Sequence, residues 1–148
     1  MASLPSFGLL WANYPTDHDP EAVKRMIGGR VNLPWITNTC TIRMSHAFNR
    51  AGSPIPKRHP SLSTVEGGDG SWYAFRVREF KRYLEREFKA ADITGTSRSE
   101  FQGQRGVMMF DVEGWSDATG HLDVWDGTRT RHAEYWGLAK AVYLWICP

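Results

Sequence analysis

The chain has 148 residues, a net charge of +2 and 41% hydrophobic residues, which is the composition of a folded domain that buries a core. Its 18 basic and 16 acidic side chains are too evenly balanced to indicate a nucleic-acid partner. No apolar run approaches the ~20 residues of a membrane span, and residues 1–14 lack the features of a secretory leader. We therefore expect one domain over residues 1–148, made in the cytoplasm without a cleavable signal.

Three helices are predicted before residue 90 from their capping residues and apolar spacing. They cover Pro20–Ile27, Cys40–Gly52 and Val77–Lys89. Asp19 is expected to cap the first helix, and Asn38 or Thr39 the second. The apolar stripe of the first helix consists of Val23, Met26 and Ile27.

The segment Ser53–Ser71 between the second and third helices is rich in Pro, Ser and Gly. It is longer than an ordinary connection, and long loops are often functional. We interpret it as a surface excursion within one domain and expect it to form one wall of a cleft.

The hydrophobic period changes to that of strands after Ala91. Strands are predicted at 106–112, 120–125 and 142–146. Asp126 and Gly127 predict a tight turn, after which the chain returns through His132 on a neighbouring strand. Helices followed by sequential strands predict an α+β fold with a mainly antiparallel sheet.

Cys40 is a candidate nucleophile because it stands where a helix is predicted to begin. The positive end of the helix dipole and the unpaired N–H groups there stabilise a thiolate. The same N–H groups can stabilise the oxyanion that forms on an attacked carbonyl.

His121 is the candidate base, at the start of a strand behind Gly120, which permits close approach of another backbone. Asp123 shares its strand face, and His132 after the turn is placed to orient the imidazole. Asp126 is a further candidate for the charge partner, although we favour its interpretation as a turn residue.

Three other interpretations remain open at this point. Cys40 can be ordinary core packing. His121, Asp123 and His132 can form a zinc site for a metal-dependent amidase. The seven Trp residues also suit a non-catalytic module that binds glycan or nucleic acid by stacking.

Two separated motifs resemble the type VI secretion amidase effectors of the fourth family. The first resembles that family's nucleophile helix and comprises residues 38–45, 48–49 and Gly52. The second resembles its His strand and turn and comprises residues 114–118, 120–121 and 125–127. Weaker matches extend the resemblance over most of the chain.

The resemblance implies a papain-like fold of the NlpC/P60 kind, with N-terminal helices packed on the sheet. It implies a cysteine amidase that cleaves the γ-D-glutamyl–meso-diaminopimelate amide of peptidoglycan stem peptides, with Cys40 as nucleophile, His121 as base and no metal or cofactor. It also implies delivery by a type VI secretion apparatus into the periplasm of a target bacterium, and a cognate immunity protein as inhibitor.

The chain departs from the family pattern at two places. Family members typically carry an Asp about eleven residues after the His, where this chain has His132. A neutral His can accept the imidazole N–H but cannot offset an imidazolium, so Asp123, Asp126 or Glu134 is the alternative source of charge. The family's later cysteine pair is also missing from residues 130–134, so we predict no disulfide there.

Overall fold

The computed structural model describes residues 2–113 and 120–148. In this part of the chain the helices are α1 (Phe7–Asn13), α2 (Pro20–Ile27), α3 (Cys40–Arg50) and α4 (Val77–Glu87). The strands are β1 (Thr64–Glu66), β2 (Trp72–Ala74), β3 (Ile93–Gly95), β4 (Gly106–Asp111), β5 (His121–Trp125) and β6 (Ala141–Ile146). The strands β1 and β2 form a ribbon, the others form a sheet in the order β3-β6-β4-β5, and every pairing is antiparallel. The predicted α+β fold with an antiparallel sheet is confirmed.

The three predicted helices form where their caps and apolar spacing place them. In α2, the Asp19 carboxylate accepts the Glu21 N–H at 3.0 Å, and Gly28 ends the helix with a φ of 73°. Helices α3 and α4 begin at the predicted residues and end slightly earlier than predicted. No helix among the described residues is long and apolar enough to cross a membrane.

The apolar stripe predicted for α2 is wrong at one position, because Met26 is 60% exposed and Lys24 is buried. The Lys24 ammonium donates to the carbonyl oxygens of Leu33 at 2.7 Å and Ile36 at 2.8 Å. A buried ammonium needs such partners. Lys24 thus fastens the segment that leads into α3.

Four short elements were not predicted from the sequence: α1 and the three-residue strands β1, β2 and β3. The strand β1 lies inside the Ser53–Ser71 excursion, which is therefore partly regular structure. The strand expected after the Asp126 turn is wrong: among the described residues, only Thr130 bridges to Trp125, and the chain up to residue 140 is otherwise irregular.

The core joins α3 to the sheet and so brings the beginning of the helix to β5. Met44 and Phe48 of α3 share one buried cluster with Leu122 and Val124 of β5. These two strand residues point to the helix side, whereas Trp125 belongs to a different cluster on the other face. The alternating sequence of β5 predicts a half-buried strand, but all five of its residues are buried, so both of its faces are covered.

Gly120 sets the approach of β5 to β4. Its φ is 146°, and a Cβ there would lie 2.2 Å from the Phe110 carbonyl oxygen. The close backbone approach expected from the sequence is confirmed.

We expect Gly120→Ala to destabilise the fold by about 3 kcal/mol, because it adds a backbone clash to an unfavourable φ. Chemical denaturation of the variant and the wild type measures the difference. Gly8→Ala is the matched control, because a Cβ at Gly8 meets nothing within 4 Å and alanine favours the helix. A Gly120→Ala protein with wild-type stability would contradict this account.

Candidate active site

Cys40 is the first residue of α3, and its side chain is buried, with only 3% of the residue exposed. Thr39 is the N-cap by position, but its side chain makes no capping hydrogen bond. The Asn38 Oδ1 atom instead accepts the Cys40 N–H at 3.0 Å. The N–H group expected to be unpaired at this helix start is therefore bonded to Asn38 in the free protein.

Asn38 also connects the cysteine to the histidine strand. Its Nδ2 atom donates to the Gly120 carbonyl oxygen at 3.3 Å, across 82 residues of sequence. One amide side chain thereby fastens the start of α3 to the start of β5. The Cys40 side chain lies near enough to the His121 imidazole to raise its pKa.

Asp123 occupies the other side of the His121 ring. The His121 Nε2 atom donates to Asp123 Oδ2 at 2.7 Å. This bond takes Nε2, which leaves Nδ1 as the ring nitrogen for the thiol. A thiol, an imidazole and a carboxylate thus stand in one row, in which the carboxylate is hydrogen-bonded to the imidazole and orients it.

The Asp123 carboxylate is completely buried, and backbone N–H groups hold it. Its oxygens accept from Val124 at 2.8 Å, Arg131 at 2.9 Å, His132 at 3.2 Å and Ala133 at 2.9 Å. Such a set of donors stabilises an ionised carboxylate. Asp123 therefore faces His121 from a fixed position.

The electrostatics of this row favour a protonated imidazole. Burial lowers the pKa of His121, but the bonded carboxylate of Asp123 and the adjacent Cys40 outweigh burial and raise the pKa to about 9. A protonated imidazole is the ion-pair partner that cysteine nucleophiles commonly use. Burial, followed by the charge of Asp123, raises the pKa of the neighbouring Tyr14.

His132 does not take the orienting position on His121. The two ring centroids lie 6.1 Å apart, and the His132 backbone N–H, rather than its ring, binds Asp123. Burial and the positive charge of Arg43 lower the pKa of His132 to about 4. Its Nδ1 atom is buried and has no hydrogen-bond partner among the described residues. The His132 side chain is therefore a neutral neighbour of the row.

The other two acidic candidates have local partners. Asp126 Oδ1 accepts the N–H groups of Thr128 and Arg129, both at 2.8 Å, which makes it a turn residue. Glu134 pairs with Arg98 and accepts from Thr130 and Trp136. Of the four residues weighed as partners of the imidazole, Asp123 is the one bonded to it.

Three further residues around the row were not singled out from the sequence. Tyr14 is buried and donates to the Leu122 carbonyl oxygen at 2.8 Å. Arg43 is buried one helical turn after Cys40 and donates to the Pro15 carbonyl oxygen at 2.9 Å. The Tyr135 ring centroid lies 5.2 Å from that of His121. The one sequence signal for Arg43 is a charged residue three positions after the candidate nucleophile on the predicted helix.

The three residues of the zinc interpretation are not arranged around a common point in the described part of the chain. Asp123 already binds His121 and four backbone N–H groups, and the His132 side chain does not join them. No group of three or more His, Cys, Asp or Glu side chains among the described residues is arranged to hold a metal ion.

A cavity of about 140 Å³ lies next to the start of α3. Its wall consists of Trp35, Ile36, Thr37, Asn38, Phe75 and Arg76. These residues lie outside the Ser53–Ser71 excursion, which was expected to form a cleft wall. The motif residues 114–118 lie outside the described part of the chain.

Comparison with known proteins agrees with this fold. The family model of amidase effector protein 4 of the type VI secretion system (Tae4) matches residues 36–145. Among curated protein sequences, none matches the chain significantly.

Solved structures resemble the whole chain. The effector Tae4 from Salmonella typhimurium, in complex with the immunity protein Tai4 from Enterobacter cloacae, is 30% identical with a TM-score of 0.90, and the match covers 97% of this chain and 99% of that chain. Tae4 from Enterobacter cloacae is 29% identical with a TM-score of 0.90, and the match covers 100% of both chains. The chain therefore belongs to the Tae4 family of type VI secretion amidase effectors.

Proposed function

We propose that this chain is an antibacterial cysteine amidase of the papain-like NlpC/P60 kind, with one catalytic domain over residues 1–148. Its substrate is the peptidoglycan stem peptide, and it cleaves the amide between D-glutamate and meso-diaminopimelate at the γ-linkage. The observation that carries this proposal is the row of Cys40, His121 and Asp123, with the carboxylate bonded to the imidazole, in a chain of an amidase family.

The first step of the proposed mechanism forms a thioester. The Cys40 thiolate attacks the γ-glutamyl carbonyl carbon, and N–H groups at the start of α3 stabilise the oxyanion. Because the Cys40 N–H is bonded to Asn38 Oδ1 in the free protein, Asn38 must release it if this N–H is to serve the oxyanion. The C–N bond then breaks, and the His121 imidazolium gives its proton to the leaving diaminopimelate amine.

The second step returns the enzyme to its starting state. The now neutral His121 accepts a proton from water, which attacks the thioester and releases the glutamate γ-carboxylate. Asp123 is the positioning residue, because its carboxylate fixes the ring and stabilises the imidazolium that must form.

Solved complexes of Tae4 from Salmonella typhimurium and of Tae4 from Enterobacter cloacae contain the immunity protein Tai4. We infer that a cognate immunity protein likewise inhibits this chain. A type VI secretion apparatus delivers the effector, which acts in the periplasm of the target cell.

Cys40→Ala is expected to lower turnover on purified peptidoglycan on the order of 10³-fold or more, because the nucleophile is lost while the fold remains. Mass spectrometry of the released muropeptides reports the rate and identifies the cleaved bond. Cys147→Ala is the matched control, since burial raises the pKa of that thiol to about 11. Wild-type turnover by Cys40→Ala would refute the thiol mechanism.

Metal removal and thiol alkylation distinguish the thiol enzyme from a metal enzyme. We expect the wild type to keep its muropeptide-releasing activity after EDTA treatment and to lose it with iodoacetamide, because the thiolate carries the reaction. The reverse pattern would favour metal catalysis, and binding to sacculi with no released fragment would favour a binding module.

Asp123→Asn is expected to lower kcat/KM by about 100-fold and to move the alkaline limb of its pH profile to lower pH. The protonated His121 ring prevails below its pKa of about 9 and is lost above it, so wild-type activity falls as pH rises through 9. Removing the carboxylate lowers that pKa, because the Asp123 bond favours the imidazolium. Asp126→Asn is the matched control, and an alkaline limb that stays in place in Asp123→Asn would contradict the role of Asp123.

A further inference from the structure

The cavity beside α3 contains one charged group, and its other walls are aromatic or uncharged. Trp35 is 54% exposed, and its ring lies edge-on to Phe75 with the centroids 5.1 Å apart. The Arg76 guanidinium lies over the Phe75 ring at 5.2 Å from its centroid. Of the six residues that line the cavity, only Arg76 carries a charge.

The cavity adjoins the nucleophile through Asn38. The Asn38 side chain lines the cavity together with Arg76, and its Oδ1 atom accepts the Cys40 N–H at 3.0 Å. The strand β2, which precedes Phe75 and Arg76 in the chain, is held on α3: Asn49 Nδ2 donates to the Trp72 carbonyl oxygen at 2.9 Å, and the Ser45 hydroxyl accepts the Ala74 N–H at 3.0 Å. Arg76 and the residues that lead into α3 therefore border the same cavity.

The charge of Arg76 is only loosely neutralised by the protein. Its Nη1 atom lies 3.5 Å from Glu79 Oε2, and its side chain is 59% exposed. The Glu79 carboxylate also accepts the Ser63 N–H at 2.8 Å and the Ser63 hydroxyl at 3.2 Å. Arg76 is therefore available to pair with an anion in the cavity.

The proposed substrate carries a suitable anion near the bond that is cleaved. A glutamyl residue joined through its γ-carboxyl keeps a free α-carboxylate, a few bonds from the scissile carbonyl. We propose that the cavity is the subsite for this γ-linked glutamyl residue and that Arg76 binds its α-carboxylate. This inference rests on the proposed function and adds to it a residue that determines specificity.

The test compares three soluble stem peptides that differ by one group. One has the free glutamyl α-carboxylate, one carries a carboxamide in its place, and one carries the carboxamide on diaminopimelate. We expect the wild type to cleave the first with a kcat/KM about tenfold above the second, because a charged hydrogen bond is lost. The diaminopimelate carboxamide should be cleaved like the first peptide.

Arg76→Gln should lower kcat/KM about tenfold on the free carboxylate, mainly through KM, and leave cleavage of the glutamyl carboxamide unchanged. Arg76→Lys should restore part of the preference, because it returns the charge. Arg82→Gln removes an exposed arginine of α4 and is the matched control.

Two outcomes would overturn the subsite while the proposed function stands. One is an equal loss on both peptides in Arg76→Gln, and the other is a preference that follows the carboxamide on diaminopimelate. If the wild type cleaves none of the three peptides, the proposed function fails and the subsite fails with it.

Discussion

The buried Asp123 carboxylate is the constraint on which the rest of the site depends. Taking a charge out of water costs several kcal/mol, and only well-placed hydrogen bonds offset that cost. Here the donors are His121 and the backbone N–H groups of residues 124 and 131–133. The need to satisfy one carboxylate therefore shapes the irregular segment after β5 and fixes the imidazole ring. Losing one partner of such a buried charge typically costs about 3–5 kcal/mol.

A second constraint brings the thiol to that ring. Cys40 and His121 lie on separate elements, and the Asn38 side chain bonds to the start of both. Behind this link, α3 packs on the Leu122 side of β5. Lys24 holds the carbonyl groups of the segment before Asn38. The row of reacting groups is thus positioned by the core and by polar side chains that take no part in the reaction.

The sequence predicted the elements whose signals are local and repeated over several turns or residues. The helix that begins at Cys40 has a cap and a full apolar face, and β4 and β6 are continuous apolar runs. The strands β1 to β3 have three residues each, which is too few to show a hydrophobic period. Helix α1 was not predicted because its residues lack a strong apolar spacing. The burial of Lys24 was not predicted, because it depends on two carbonyl groups outside α2. The hydrogen-bond partner of His121 could not be chosen from the sequence, because the path of residues 126–140 decides which side chain meets its Nε2 atom.

The structure explains how this chain can carry a histidine at position 132, where the family typically carries an Asp. Asp123 lies two residues after His121 on the same strand face and already supplies the negative charge to Nε2. Position 132 serves the site through its backbone N–H, which any residue except proline provides. Its side chain lies near the positive Arg43, and burial together with that charge keeps the ring neutral. A second carboxylate there would stand beside the buried Asp123 and raise the cost of ionising both. In this chain a neutral ring at position 132 is therefore compatible with a fully charged partner for the imidazolium.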